Sequence, residues 1–246
     1  MGKYYFLASV LPAMPVSLGD KLSLSFSEIA RIVQRNIEPM DIPLTKALLM
    51  AIDVSNFETI YQDRNVFIEG GTLTREEIEH KQNLPLFIQA FLEEKERGVR
   101  RAYLFDALWE RYYMYIYSLG QEMECRFLID YISWDISLRN RLVMLRAKES
   151  ARGAEDYTLL PHIGGHDVSA ILAQLTNQRN PLLAERLLDE ARLKQAFHCE
   201  GGDPFSVDAI LATMEKARIF EKWEKMNLPF KIDDIIRGGT FDKHNG

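Results

Sequence analysis

WDISLRNRLVMLRAK, residues 134–148, decides how this chain is to be read. Arg139, Arg141, Arg146 and Lys148 make the stretch basic, but large apolar residues fall between them along its whole length. It is either a surface for phosphates or a helix packed between two layers of protein. The two readings imply different kinds of molecule.

On a helix of roughly 100° per residue, residues 127–147 show two apolar faces. Phe127, Tyr131, Trp134, Leu138, Leu142 and Leu145 form one, and Ile129, Ile132, Ile136, Val143 and Ala147 form the other. Asp135, Arg139 and Arg146 fall in one polar seam; Asp130, Arg141, Lys148 and Arg152 fall in the second. A helix on the outside of a globule has one apolar stripe, so two stripes predict a helix sandwiched between neighbours. The arginines then pack their stems and solvate their heads at the seams. Asp135 and Arg139, four residues apart, are expected to offset each other. A nucleic-acid module using Arg139 to Arg152 is the alternative.

The neighbouring LWERYYMYIYSLG, residues 108–120, makes a similar choice. Its aromatics point around a helix, and Arg111 is the one basic residue within it. Base-stacking surfaces interleave rings with positive charge. An aromatic core with hydroxyls at its edge is therefore expected.

Outward from here the chain reads as nearly all-α. Ser25 with Glu28, and Thr74 with Glu77, have capping-box spacing. Pro43 and Pro85 suit first turns, and a helix from Pro85 is expected to stop near Gly98. Helical patterns run over 101–118 and from 121 to about 152, with a break at Gly120, then near 168–176, 181–198 and 206–227. YYFLASVL and NVFIE are the only short strand candidates. GGHDVSAIL (164–172) and GGDPFSVDAIL (201–211) resemble each other faintly, as one helical unit repeated would. One helical domain over residues 1–246 is expected, with two lobes, about 1–152 and 153–246, as the variant.

The 246 residues are 47% hydrophobic and 27% charged, ordinary for a globular protein with a core of its own. A net charge of −6 argues against attraction of the whole molecule to nucleic acid. Cys125 and Cys199 lie far apart and read as free, buried thiols. No apolar run approaches the roughly 18 residues of a membrane span. The opening KYYFLASVLPAMP has no convincing cleavage site for a signal peptide, so a cytoplasmic location is expected.

PHIGGHD, residues 161–167, is the one cluster that looks catalytic. His162, His166 and Asp167 are metal-ligand types, and His-Asp is the core of a phosphohydrolase motif. Pro161 and the Gly164-Gly165 pair make the regular helix of an HExxH site unavailable. A polar loop in which His166 or Asp167 caps the next helix is expected; a helical metal-dependent phosphohydrolase is kept as an alternative. No P-loop, GxGxxG or GxSxG occurs. The carboxylates of FLEEKERG and FEKWEKM alternate with cations and read as solvated faces. No catalytic, cofactor-binding or metal-binding residue is assigned, and no cofactor is expected.

Three segments carry a resemblance. YYFLASVLP resembles the Tyr-Tyr-x-Leu…Leu-Pro opening of a bacterial family encoded among the components of V/A-type ATPases. FLIDYISWDISLRNRLVMLRAK is similar to that family's Trp…Leu-Arg-Asn…Arg helix at Trp134, Leu138, Arg139, Asn140 and Arg146. FSVDAILATMEKARIFEKWEKMN is similar to its closing segment at Ala212, Lys216 and Trp223. That family looks like a shortened relative of the helical, funnel-shaped rotor component of V-type and V/A-type ATPases, which sits on the proteolipid ring and receives the central stalk. The resemblance implies a multi-helix bundle like that rotor component and a non-catalytic role in ion or proton transport, linking the central stalk to the membrane rotor ring. The implied partners are other proteins of the ATPase, with no nucleic acid and no membrane insertion. The implied place is the cytoplasm, peripheral at the inner membrane through those partners. Asp135, Asn140 and Arg146 are the implied counterpart of the rotor component's Asp…Asn…Arg pattern, at wider separations.

Overall fold

A computed structural model describes residues 3–98, 104–149 and 158–227. Every regular element among them is helical. The fold is all-α, a multi-helix bundle. α1 (Tyr5–Val10) and α2 (Phe26–Asn36) lead through a short 3-10 turn at Pro39–Asp41 into α3 (Ile42–Tyr61). α4 (Arg75–Glu79) and α5 (Leu86–Glu96) follow, then the long pair α6 (Leu104–Glu122) and α7 (Arg126–Glu149). α8 (Ser169–Thr176), α9 (Pro181–Cys199) and α10 (Val207–Asn227) complete it.

Local chemistry sets several of these ends. At Ser25 and Thr74 both halves of the capping box are made, satisfying backbone donors that a helix start leaves orphaned. α7 has its amino end capped from another helix: Asp208 Oδ1 on α10 accepts the Phe127 N–H at 2.9 Å.

α7 is the middle layer. α6, α9 and α10 all pack on it, α3 and α5 pack on α6, and α3 also reaches α10. Both apolar stripes are therefore used. Trp134 and Leu138 pack with Val168 and Leu188, against the α8–α9 side. Ile132 and Ile136 of the second stripe join the main core with Leu108, Ile116 and residues of α10, and so do Phe127 and Tyr131 from the amino-terminal end of the first stripe. Burying each such side chain stabilises by about 1.5–3 kcal/mol. Arg141 is exposed and Arg139 half-buried, as seam positions require. The side chains of Arg146, Ala147 and Lys148, and all of Arg152, lie outside the described residues.

Three expectations are corrected. YYFLASVL is not a strand: Tyr5–Val10 is a helix with Leu7 buried. NVFIE forms no strand and carries no regular secondary structure. The Asn56 side chain instead donates to the Ile68 carbonyl at 2.8 Å and accepts the Ile68 N–H at 2.8 Å. Gly120 does not break the chain; it lies inside α6, and the turn falls at Glu124, whose φ is +53°. A Cβ on Gly120 would sit 3.0 Å from Leu128 Cβ, so the glycine serves the close approach of α7 to α6. The two Gly-Gly segments also lead to unlike helices. α8 has no fully buried residue, whereas α10 packs against α2, α3, α7 and α9.

Cys125 and Cys199 are free and buried. Burial pushes the Cys125 thiol well above its ordinary pKa and the Cys199 thiol up to about 11. No helix among the described residues is long and apolar enough to cross a membrane.

Candidate functional site

The charged side chains of α7, α9 and α10 meet in the interior. Arg192 on α9 donates through Nε to Asp135 on α7 at 3.2 Å and through Nη1 to Asp189 at 3.0 Å. Asp189 also accepts from Lys222 Nζ at 2.6 Å and Trp223 Nε1 at 2.9 Å, both on α10. Glu215 holds Arg218 through Nε at 2.9 Å and Nη2 at 2.5 Å, and accepts the Tyr131 hydroxyl at 2.8 Å. Tyr113 O–H donates to the second oxygen of Asp135 at 2.7 Å. Each buried carboxylate thus has several donors, which is the condition for burying charge at tolerable cost.

The electrostatics follow from these contacts. Burial works against ionised Asp189, but Lys222, Arg192 and Trp223 outweigh it and hold its carboxyl below the ordinary aspartate value. Burial likewise opposes the charge on Arg192; Asp135 and Asp189 overcome it and raise the pKa further. Tyr131 and Tyr113 are pushed well up, first by burial and then by the carboxylates beside them, so both remain phenols.

This network forms one wall of a cavity of about 690 Å³. The rest of the lining is largely apolar and aromatic, with Leu48 and Ile52 of α3 and Trp109 and Tyr112 of α6, and also carries Glu69, Glu221 and Lys225. Val66, Ile68 and Met226, all substantially exposed, lie on its lining. The cavity therefore joins buried ion pairs to apolar and aromatic surface.

The expected Asp135–Arg139 pair is not made. Arg139 reaches across to Asp106 on α6 at 2.5 Å, while Asp135 serves Arg192. Both side chains pair with neighbouring helices and not along their own. FEKWEKM is also more than a solvated face: Lys222 and Trp223 enter the network, and Glu221 accepts the Phe26 N–H at 2.9 Å. In FLEEKERG, Glu94 pairs with Arg111 of α6. Sequence reading missed Asp189, Arg192, Glu215 and Arg218 altogether. Their only local signal is acid–base spacing of three residues, common on any exposed helix.

PHIGGHD lies along α7 and is held by a polar strip of that helix. Ser137 Oγ accepts the N–H groups of Gly165 and His166 at 3.0 and 3.2 Å, and Ser133 Oγ meets His166 Nε2 at 2.8 Å. A Cβ on Gly164 would stand 3.1 Å from Ser137 Oγ, so the loop passes α7 closely at this glycine. Asp167 accepts the N–H of Ser169, the first residue of α8, at 2.9 Å. His162 is exposed. Among the described residues, no three His, Cys, Asp or Glu side chains come together as metal ligands would. Asn140, the next member of the polar strip, grips Leu159, while Asp135 and Asn140 themselves do not meet.

Residues 1–189 match the model of the family described as protein of unknown function, DUF2764. The chain belongs to that family. The match takes in α1 to α8 and ends in α9 at Asp189, the residue that joins α9 to α10 in the charged wall. No curated protein and no solved structure matches the chain.

Proposed function

We propose that this DUF2764 protein is a non-catalytic coupling component of a V/A-type rotary ATPase, linking the central stalk to the membrane rotor ring from the cytoplasmic side. It hydrolyses nothing itself, transmits torque by shape and stiffness, and reaches the membrane only through partner proteins of the ATPase.

The observation that carries the reading is where the three resembling segments lie. The Tyr4 N–H donates to the Phe205 carbonyl, just before α10, at 2.7 Å. Asp208 of α10 caps α7, and Tyr131 of α7 donates to Glu215 of α10. α1, α7 and α10 are thus one connected part of the molecule, so the likeness rests on a contiguous substructure and not on three scattered matches. A middle-layer helix packed on both sides also suits a part that must not bend under load.

Affinity purification of the chain from native membranes tests this. Proteins of the ATPase head and rotor are expected as companions. In a strain lacking the gene, ATP hydrolysis by the head is expected to persist while ion pumping is lost. Membranes of that strain that still couple hydrolysis to pumping would overturn the reading.

A further inference from the structure

The two sides of the charged wall differ in what they show to the cavity. The side chains of Asp189 and Glu215 are 3% and 4% exposed, while those of Arg192, Arg218 and Lys222 are 27%, 38% and 39% exposed. Asp189 and Glu215 lie behind the three cations, while Lys222 is also held by Glu185, a half-exposed carboxylate. The pairs also leave donors over. Arg192 uses Nε and Nη1, so Nη2 lies outside them; Arg218 uses Nε and Nη2, so Nη1 does. A guanidinium already fixed by a buried carboxylate loses little freedom when it accepts a ligand. Leu48, Ile52, Trp109 and Tyr112 supply apolar and aromatic lining beside this wall, and about 690 Å³ lies within the usual range for small-molecule sites.

We propose that this cavity binds an organic anion with a ring-bearing apolar body, its anionic group on Arg192, Arg218 and Lys222 and its body against α3 and α6. A cation is disfavoured at this wall because Asp189 and Glu215 are buried and each already engaged by two or more donors; Glu69, the exposed carboxylate of the lining, stands apart from them on the segment before α4. A wholly apolar ligand is disfavoured because it would strip water from three partly exposed charges without replacing it. The site stands whether or not the chain serves a rotary ATPase.

Two probes with the same ring system separate these cases. 8-Anilinonaphthalene-1-sulfonate carries an anionic group; N-phenyl-1-naphthylamine does not. In titrations of the full chain, the sulfonate is expected to bind at one site per chain and about tenfold or more tighter than the neutral probe, the scale of a charge-assisted contact. E215Q/R218Q removes a cation with its buried partner and leaves net charge unchanged. It is expected to weaken the sulfonate about tenfold and leave the neutral probe alone. Lys222→Gln, at a side chain that is partly exposed, does the same should the double variant not fold. Lys194→Gln, exposed on α9 and outside the cavity lining, is expected to change nothing. Equal affinity for the two probes, no sulfonate binding, several sulfonates per chain, or unchanged affinity in the folded cavity variants would each overturn the proposal.

Discussion

Asn140 and Leu159 are joined twice: the Asn140 amide nitrogen donates to the Leu159 carbonyl at 2.6 Å, and its oxygen accepts the Leu159 N–H at 2.8 Å. Both residues are buried. The side chain does for this segment what a neighbouring strand does in a sheet, satisfying both polar groups of one residue. Asn56 does the same for Ile68. Asn140→Ala leaves two buried backbone groups without partners and is expected to cost roughly 2–5 kcal/mol. Asn140→Asp is expected to fare little better, because it sets a carboxylate oxygen against the Leu159 carbonyl. Urea denaturation of both variants measures this, and near-wild-type stability of either would show that the segment is held by something else.

Gly71 is closed to any side chain. A Cβ there would stand 2.1 Å from Asp53 Oδ1, the oxygen that accepts the Thr72 and Leu73 N–H groups at 2.9 and 3.0 Å. Gly71→Ala must push the carboxylate off those donors. Hydrogen bonds to a charged group are worth more than neutral ones, so a loss of roughly 2–3 kcal/mol is expected. Gly98, with nothing within 4 Å of its Cβ position, is the contrast in space alone, since its φ of +76° still strains alanine. A Gly71→Ala loss no larger than that of Gly98→Ala in thermal unfolding would refute the steric account.

These two positions show what is legible in the sequence and what is not. Capping boxes at Ser25 and Thr74 are local, three residues long, and readable without the fold. The double stripe of α7 is readable because helical period alone places Leu138 and Ile136 on different faces. The break expected at Gly120 fails because a glycine that permits close helix packing looks like one that ends a helix. Nothing local distinguishes Asp189-Arg192 or Glu215-Arg218 from solvated pairs on any helix surface. Only the packing of α9 and α10 on α7 turns them toward one cavity. Asp135 likewise has a plausible partner four residues away, and loses it to Arg192 across the helix boundary.

Asp189 gives the network a pH signature. Its folded pKa lies below the ordinary aspartate value, through the cations and the Trp223 indole that overcome its burial. A carboxyl lowered in the folded state contributes stability above its unfolded pKa, and that contribution is lost as pH falls through the folded value. Asp189→Asn is therefore expected to cost about 3 kcal/mol near neutral pH. The gap from wild type should narrow on acidification below about pH 4, where the unfolded carboxyl protonates. A gap that is constant or widens as pH falls would show that the charge of Asp189 is not what stabilises.

The two thiols are expected to be slow to react. Both are buried, and burial raises both pKa values, to about 11 for Cys199. The thiolate is the reactive form, so at neutral pH each is starved of it. Ellman's reagent should label both readily in denaturant and neither promptly in the native protein. Prompt native labelling of one thiol would place that cysteine at a surface or in a segment that opens easily.

The reading of α7 as a middle layer has the most direct consequence for stability. Leu138 is fully buried, and Trp134 keeps only a sliver of exposure; both pack on Val168 and Leu188. Ile136 is fully buried on the other side, in the main core. A helix with one working stripe would be damaged by truncation on one face only. Here Leu138→Ala and Ile136→Ala are each expected to cost roughly 2–5 kcal/mol, and Trp134→Ala roughly 3–5 kcal/mol. The losses at Leu138 and Ile136 should add when combined, because the two side chains open cavities in separate clusters. Arg141→Ala, at an exposed seam position of the same helix, should cost well under about 1 kcal/mol. Chemical denaturation of the four single variants and the double variant decides the matter. Should Leu138→Ala or Ile136→Ala prove nearly neutral, that face of α7 bears no load in the isolated chain, and the sandwich is wrong on that side.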